Sequence, residues 1–570
     1  MVVLDTPTGA IGRRSLPRLL LVLGGFTALT VIFFWPWVAH VSSALIGPPE
    51  DNMQDFWNSW HAATARGWHD MLFTRQIRYP EGTSLAYHSF AWPQVFAVAL
   101  LSKLFGSDFS TLVTLHNLTL LASFPLGAAA MFALARHLLG NVAGRDAGAT
   151  VAGFIFAFNP WHVAQVMHHA HVSGIEFLPL FALFYLKALE RKNYGWLIAA
   201  AAMNALSALS CWYFFFYAFY FLAFHLLYLR LHERRWPRGW RLMAPALCVG
   251  LAALILTPWL LPMVGSGLKN SVYYVGNNMF VADLAAFIAF PPTHLLAQYG
   301  SGIYAMLTGN AWEGTVYLGL VNLVVLAWAL TRSRIEQTTP KTLLYYALGG
   351  MIFFAVIAGG EALHVAGHVT PLHLPGVILA KLPFFANVRT PARAMVMVYL
   401  FLGLVLAQAS VMALRYRKPV LLTAVAALIL LDFTPTNLSA TPAACPAALD
   451  VIAQDSGDFG VLDLPRGYGE GNAAMMASVC HGKPIVQGET ARHMADTLAD
   501  RLVTGDLAAQ QSQLAAAHVK YIVLHRPPAR TADPEAELHR WNKADGVQAD
   551  YARRYRVVHD DKDTTVLRVY

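Results

Sequence analysis

Two carboxylates four residues apart, Asp51 and Asp55, lie in the stretch Glu50-Asp51-Asn52-Met53-Gln54-Asp55-Phe56-Trp57-Asn58-Ser59-Trp60-His61. Read as a helix, this stretch puts both on one face, one turn apart. Two like charges so close raise one pKa, which suits a group that takes a proton during a reaction. The same acids also suit a solvated helix start, where they complement the helix dipole. Trp57 and Trp60 add rings fit for a membrane interface.

Further on, within Asn159 to Glu176, His162, His168, His169 and His171 fall within ten residues, and Glu176 is the only carboxylate. His168 and His171 share a helical face, and imidazole suits a divalent ion such as Zn²⁺ or Mn²⁺. Neutral histidines bonding substrate hydroxyls or capping the next helix fit the pattern as well, and no metal is assigned. Arg389 and Arg393, four apart before an apolar run and close to Lys381, could hold a phosphate between guanidinium forks and a helix N-terminus. Anchoring to lipid head groups is their alternative. The stretch 265–313 sets Asp283 among Tyr273, Tyr274, Asn277, Asn278, His294, Tyr299 and Tyr304, a composition that sugar sites and aromatic belts share.

The elements that must position these residues are set by lipid. Hydrophobic residues make up 56% of the 570-residue chain and charged residues 13%, with mean hydropathy +0.45. Charge-free runs near 20 residues recur, long enough as helices to cross a hydrocarbon layer of about 30 Å. Eleven spans are expected, near 16–41, 110–138, 150–160, 174–189, 194–210, 212–230, 242–264, 314–331, 343–360, 394–413 and 419–433. The first is too long for the core of a cleaved signal peptide and reads as a retained anchor. Basic clusters at Arg136 to Arg145, Arg191 and Lys192, Arg230 to Arg241, Arg332 to Lys341 and Arg415 to Lys418 fall at alternate loops. With Arg13, Arg14 and Arg18 they put the N-terminus in the cytoplasm and the C-terminus outside a plasma or inner membrane. Counting Trp92 to Phe105 as a crossing would invert every later loop, so it is expected to lie in the interface, inside a long external loop 42–109.

The membrane region is thus 1–433. From 434 to 570 the charge density is ordinary, and short apolar runs at Phe459 to Leu464, Val519 to Leu524 and Thr564 to Val569 read as strands, with a helix from His493 to Ala517. This is expected to be an external α/β domain. Cys445 and Cys480 both fall in it and could form a disulfide, whereas Cys211 and Cys248 read as packing residues inside spans. The net charge of +8 is accounted for by the cytoplasmic loops, so nucleic acid is not an expected partner. No internal repeat, Walker loop or dinucleotide fingerprint is present, which argues against a nucleotide enzyme and a repeat-built transporter.

A first span, an acidic residue just outside it, a Trp-rich helix, the turn Tyr79-Pro80-Glu81-Gly82 and the apolar helix from Trp92 together resemble the start of polytopic glycosyltransferases of the GT-C superfamily. Those enzymes take a sugar from a polyprenyl-phosphate carrier on the outer face of the membrane. The stretch Lys381-Leu382-Pro383-Phe384-Phe385-Ala386-Asn387-Val388-Arg389-Thr390-Pro391-Ala392-Arg393 is similar to a segment of such proteins, and Val479 to Arg492 resembles a loop of their external domain. The resemblance implies a GT-C-like fold and inverting transfer of a sugar from a polyprenyl-phosphate donor to a hydroxyl of a glycan, lipid or protein acceptor. Asp51 best matches the catalytic position, with Asp55 its competitor. Lys381, Arg389 and Arg393 would face the donor phosphate, while Trp57, Tyr87, His88, His168, His169, His171, Glu176 and Asp283 would line the substrate. The sequence departs from the family in offering histidines where a second acid is usual, which leaves a divalent metal open. The alternative is a non-catalytic protein that binds or translocates a lipid-linked glycan with the same groups.

Overall fold

The computed structural model describes residues 15–265, 278–335, 342–382, 388–416, 419–465, 470–490, 496–503, 505–525 and 550–570. Arg13, Arg14, Tyr273, Tyr274, Asn277, Lys341, Lys418, residues 383–387 of the arginine stretch and 491–495 of the expected C-terminal helix lie outside them.

Apolar, charge-poor runs satisfy their backbone N–H and C=O groups internally only as helices. α1 (Ser15–Phe33) and α2 (Trp35–Ala39) lead into β1 (Ala44–Ile46). The first long connection then folds as α3 (Asp51–Thr64), α4 (Trp68–Leu72), the short strands β2 (Phe73–Thr74) and β3 (Thr83–Ser84), and α5 (Trp92–Phe105). The bundle continues with α6 (Phe109–Leu139), α7 (Arg145–Ala157), α8 (Pro160–His168), α9 (Phe177–Arg191), α10 (Tyr194–Ser210), α11 (Trp212–Glu233), α12 (Trp240–Ile255) and α13 (Thr257–Gly265). It is completed by α14 (Ala297–Met306), α15 (Leu320–Ile335), α16 (Thr342–Ala358), the hairpin β4 (Ala362–Val365) and β5 (His368–His373), α17 (Gly376–Leu379), α18 (Met395–Leu414) and α19 (Pro419–Asp432).

Helix is present in each of the eleven expected stretches, but length limits how many can cross. Among the described residues, four helices are long and apolar enough: Phe109–Leu139, Ala170–Arg191, Trp212–Glu233 and Pro391–Leu414. The pair α12 and α13, bent by 71°, makes a fifth if it is one span. Apolar helices such as α10 and α16, each 17 residues, reach only about 25 Å at 1.5 Å per residue, short of a full hydrocarbon layer. α18 is apolar all round and buried along nearly its whole length, as a central helix must be. Small residues let α7 approach it: a Cβ added at Gly148 would stand 2.7 Å from the carbonyl oxygen of Ala407.

α5 forms over the expected residues. It buries Trp92, Val95 and Val98 while Phe96, Leu100 and Leu104, one turn apart, stay exposed, so both faces are apolar but only one is packed.

After α19 come β6 (Ala440–Pro442), α20 (Asp450–Ala453), β7 (Gly460–Leu464), α21 (Glu470–His481), α22 (Leu498–Arg501), α23 (Leu507–Ala516), β8 (Val519–His525), β9 (Arg556–Asp560) and β10 (Thr564–Arg568). The sheet order is β7-β8-β10-β9, with β7 and β8 parallel and the other pairs antiparallel. Helices fill the crossover that a parallel pair requires. β9 was not expected, and the single helix expected over 493–517 is two helices, because Gly505 and Asp506 interrupt it and Asp506 caps α23 through the N–H groups of Ala508 and Ala509.

The C-terminal domain folds back onto the first loop. β6 pairs antiparallel with β1, Ala44 opposite Pro442, and Trp57, Phe90 and Trp92 share one apolar core with Ala448, Leu449, Ile452 and Phe459. Cys445 and Cys480 are disulfide-bonded, with 5.4 Å between their Cα atoms and 35 residues between them in sequence. The bridge holds α21 against the segment after β6. Closing a loop of that length is worth about 3–4 kcal/mol in the chain-entropy account. Reduction, or Cys480→Ser, is therefore expected to lower the melting temperature of the purified protein, measured with and without reductant. An unchanged melt would show that the bridge does not constrain the domain.

Candidate functional site

Several chain segments meet at the end of the bundle away from the basic loops. α3 brings Glu50, Asp51 and Asp55 at its start. α8 begins on an Asn159 cap, whose Oδ1 accepts from the His162 N–H with Pro160 in the first turn, and it ends at His168 beside His169 and His171. The turn ahead of α15 supplies Trp312 and Glu313, with the Asn310 side chain accepting from the Glu313 N–H at 2.8 Å. The 3₁₀ turn Pro391–Ala394, which opens the long helix through α18, supplies Arg393. α21 adds Asn472.

Each histidine meets a different acid. His168 Nδ1 lies 3.2 Å from Glu50 Oε2, with its ring stacked on Trp312 at 3.8 Å between centroids. His171 Nδ1 lies 3.5 Å from Asp55 Oδ2, which also accepts from the His171 backbone N–H at 3.3 Å. His169 Nε2 lies 3.5 Å from Glu313 Oε1. That same oxygen accepts from Arg393 Nε at 2.9 Å and from Arg393 Nη2, and the Gln165 amide donates to Glu313 Oε2 at 3.4 Å. The Asn472 amide donates to Asp51 at 3.3 Å.

Burial and these pairings divide the charges. Burial would push Glu313 up, but Arg393 and then His169 hold it down at about 2, so it is ionised. Burial pushes His169 down to about 3 despite Glu313, and His88 down to about 4, so both rings are neutral. Asp51 is raised above its ordinary value, first by burial and next by Asp55, against the opposing pull of His171 and Arg393. A carboxylate that is half-buried, raised, and bonded only weakly by an amide is the group in this cluster best prepared to take a proton.

The structure brings together Asp51, Asp55, His168, His169, His171 and Arg393 out of the residues the sequence singles out. The others stand elsewhere. Arg393 spends its fork on Glu313 and lies 5.1 Å from the Tyr213 ring centroid, so it is not the open phosphate grip expected of it. Arg389 is exposed, its backbone N–H donating to the Tyr213 hydroxyl at 3.2 Å. Lys381 is exposed beyond α17. Trp57 is fully buried, stacked on His61 at 4.9 Å, because the C-terminal domain covers it; no face is left for substrate or lipid. His88 bonds Asn58 Oδ1 at 2.8 Å, next to Asp55 on α3. Tyr87 donates to the Met263 carbonyl. Glu176 heads α9 with one carboxylate oxygen buried and, among the described residues, without a partner. Asp283 accepts from the N–H groups of Ala285, Ala366 and Gly367, each at 2.8 Å, so it pins the β4–β5 turn. His162 is held by the Ala157 and Ser173 carbonyls and acts in packing.

Glu313, Glu50, Trp312, Asn472 and Tyr213 were not singled out from the sequence. Glu313 carried a usable sign: it is the one acid directly ahead of the apolar run 314–331. Among the described residues, no three His, Cys, Asp or Glu side chains gather so as to hold a metal ion.

Fold and site define a mainly helical protein of apolar spans with a buried acid, histidine and arginine cluster under a C-terminal α/β domain. The chain belongs to the family described as domain of unknown function DUF6311, whose model matches residues 22–434. No curated protein matches it. Among solved structures it is similar to the archaeal oligosaccharyltransferase AglB from Archaeoglobus fulgidus in complex with an inhibitory peptide and a dolichol-phosphate, at 11% identity and TM-score 0.48, over 90% of this chain and 70% of that one. It is also similar to the Archaeoglobus fulgidus oligosaccharyltransferase in complex with zinc and sulfate, at 12% identity and TM-score 0.43, over 88% and 68%.

Proposed function

We propose that the protein is a membrane glycosyltransferase of GT-C type that moves a sugar from a polyprenyl-phosphate donor to an acceptor hydroxyl on the outer face of the membrane. The observation that carries this reading is the raised, half-buried Asp51 at the start of α3, beside Asp55 and within the field of the Glu313–Arg393 pair. Asp51 takes the acceptor proton as the acceptor oxygen attacks the anomeric carbon. The carbon–oxygen bond to phosphate breaks with inversion, and the phosphate leaves with the electron pair. Arg389, exposed two residues ahead of the Pro391–Ala394 turn, is the cation that meets that charge. Arg393 holds Glu313 and keeps the loops of the site together. His168 Nε2 and His169 Nδ1 are buried and without partners among the described residues, an unmet demand that sugar hydroxyls would satisfy. A disulfide in the C-terminal domain fits an oxidising, external compartment.

The test is incubation of purified protein with a panel of radiolabelled polyprenyl-phosphate sugars, with and without EDTA, and then analysis of released carrier. Release from any donor supports the reading, and its loss with EDTA would show that transfer needs a divalent ion. Donor binding without release from any donor moves the assignment to a protein that binds or translocates a lipid-linked glycan.

The pH dependence has a definite sign. A base must be ionised, so the rate rises with pH through the titration of Asp51, at a pH above that of an ordinary aspartate. Asp55→Asn removes the like charge that helps raise Asp51, so the acid limb should move to lower pH. A limb that stays in place in this variant would show that Asp51 is not the titrating group.

A further inference from the structure

Where α18 ends, a helix length beyond Arg393, the helices α7, α15, α18 and α19 part to leave a groove of about 760 Å³. Its walls are apolar over most of their length, formed by Val151, Val324, Trp328, Leu406, Val425 and Ile429. Ala413 and Ala426 leave it open because each presents only a methyl group. One end differs. There Arg332 donates through Nε to the Tyr416 hydroxyl at 2.9 Å, its guanidinium 4.8 Å from that ring's centroid, and both side chains line the groove.

This arrangement is apolar along the membrane and cationic at one surface, which is the complement of an amphiphile with a negative head. Water would find few polar partners along the slot, and a soluble anion would leave its apolar length unfilled. The 20 residues of α18 span about 30 Å at 1.5 Å per residue, so the Arg332 end lies one hydrocarbon thickness from Arg393 and Arg389. The head group at Arg332 therefore belongs to the other leaflet and is not the donor phosphate of the candidate site. Arg332 and Arg415 also open two of the basic loops, so the field at this surface favours anionic lipid.

We infer that the groove holds one anionic glycerophospholipid, its acyl chain lying along α18 and α19 and its phosphate at Arg332 and Tyr416. The lipid then fills the gap beneath α19, the helix that leads to the C-terminal domain. The inference requires only that the chain span a membrane, and it stands apart from the transfer reaction.

The test uses full-length protein in detergent with phosphatidylglycerol or phosphatidylcholine of identical acyl chains, retained lipid being counted by native mass spectrometry. Wild type should keep one phosphatidylglycerol, at about fivefold preference, the factor one basic residue near a charged surface contributes. It should also melt at a higher temperature with that lipid than with phosphatidylcholine. Arg332→Gln should erase the preference, and Ala413→Phe with Ala426→Phe, which fill the groove, should remove retention of both lipids. Retention of neither lipid, equal retention of both by wild type, or unchanged retention by the filled variant would overturn the inference. Should the filled variant fail to fold, the lipid-dependent melt of wild type decides alone: a shift with phosphatidylglycerol supports the site, and no shift overturns it.

Discussion

Asp51→Asn is expected to lower sugar transfer by about 10²- to 10⁴-fold while leaving donor binding within about twofold. Asparagine keeps the shape and can still accept from the Asn472 amide, so the loss isolates the missing proton acceptor. Donor affinity should survive because, in the proposed reaction, the carboxylate meets the acceptor and not the phosphate. Asp55→Asn removes the partner of the His171 ring and backbone N–H, so its loss should be smaller and accompanied by the move of the acid limb to lower pH. Single-turnover transfer and equilibrium donor binding, measured on the same preparations, separate the two effects. Near wild-type transfer by both variants would place the base elsewhere, with Glu176 the next carboxylate to replace.

Arg393→Ala is expected to destabilise the protein by about 3–5 kcal/mol, because it leaves Glu313 ionised and buried without its partner. The side chains are 9% and 3% exposed, so little solvent screens the pair. Replacing both, as Arg393→Met with Glu313→Leu, should recover most of the stability, since no unpaired charge then remains. Arg389→Ala should leave the melt unchanged and weaken donor binding, and Arg389→Lys should restore only part of it, because an ammonium cannot form the bidentate fork. Because Glu313 is held at about 2 in the fold, its contribution is fully present above the ordinary glutamate range and is lost as pH falls toward 2. The acid limb of a melting curve against pH should therefore flatten in the double variant. A stable Arg393→Ala protein that fails to bind donor would return the phosphate site to Arg393.

The helices were legible because lipid imposes one solution on a long apolar run, and α5 was legible to the residue at both ends. β7, β8 and β10 were legible from short β-rich runs between polar breaks. The number of crossings was less so. Composition marks where helix forms, but α10 and α16 stop short of a membrane's thickness, so a crossing there depends on the residues flanking each helix. The site was half legible. Asp51, Asp55 and the histidines announced themselves by spacing within one stretch. Their partners did not, because Glu313 meets Gln165 and Arg393 across 148 and 80 residues of chain, and no local pattern encodes such pairings. Trp57 misled for a related reason: its amphipathic ring suits an interface, and nothing near it in sequence says that the C-terminal domain returns to share its apolar core.

The pairing of β1 with β6 has a consequence for biosynthesis. Thr441 and Gly47, joined by the Thr441 hydroxyl and the Gly47 carbonyl, are 394 residues apart. At about 5–20 residues per second, the segment that carries Asp51 waits roughly 20–80 s before its partner strand emerges. Until then Trp57 and Phe90 lack their cover and Asn472 has not reached Asp51. Over that interval the nascent chain is open to chaperones and proteases through its first loop. Ribosome stalling or truncation anywhere before residue 440 would leave a chain whose Asp51 segment lacks its partner strand and its apolar cover.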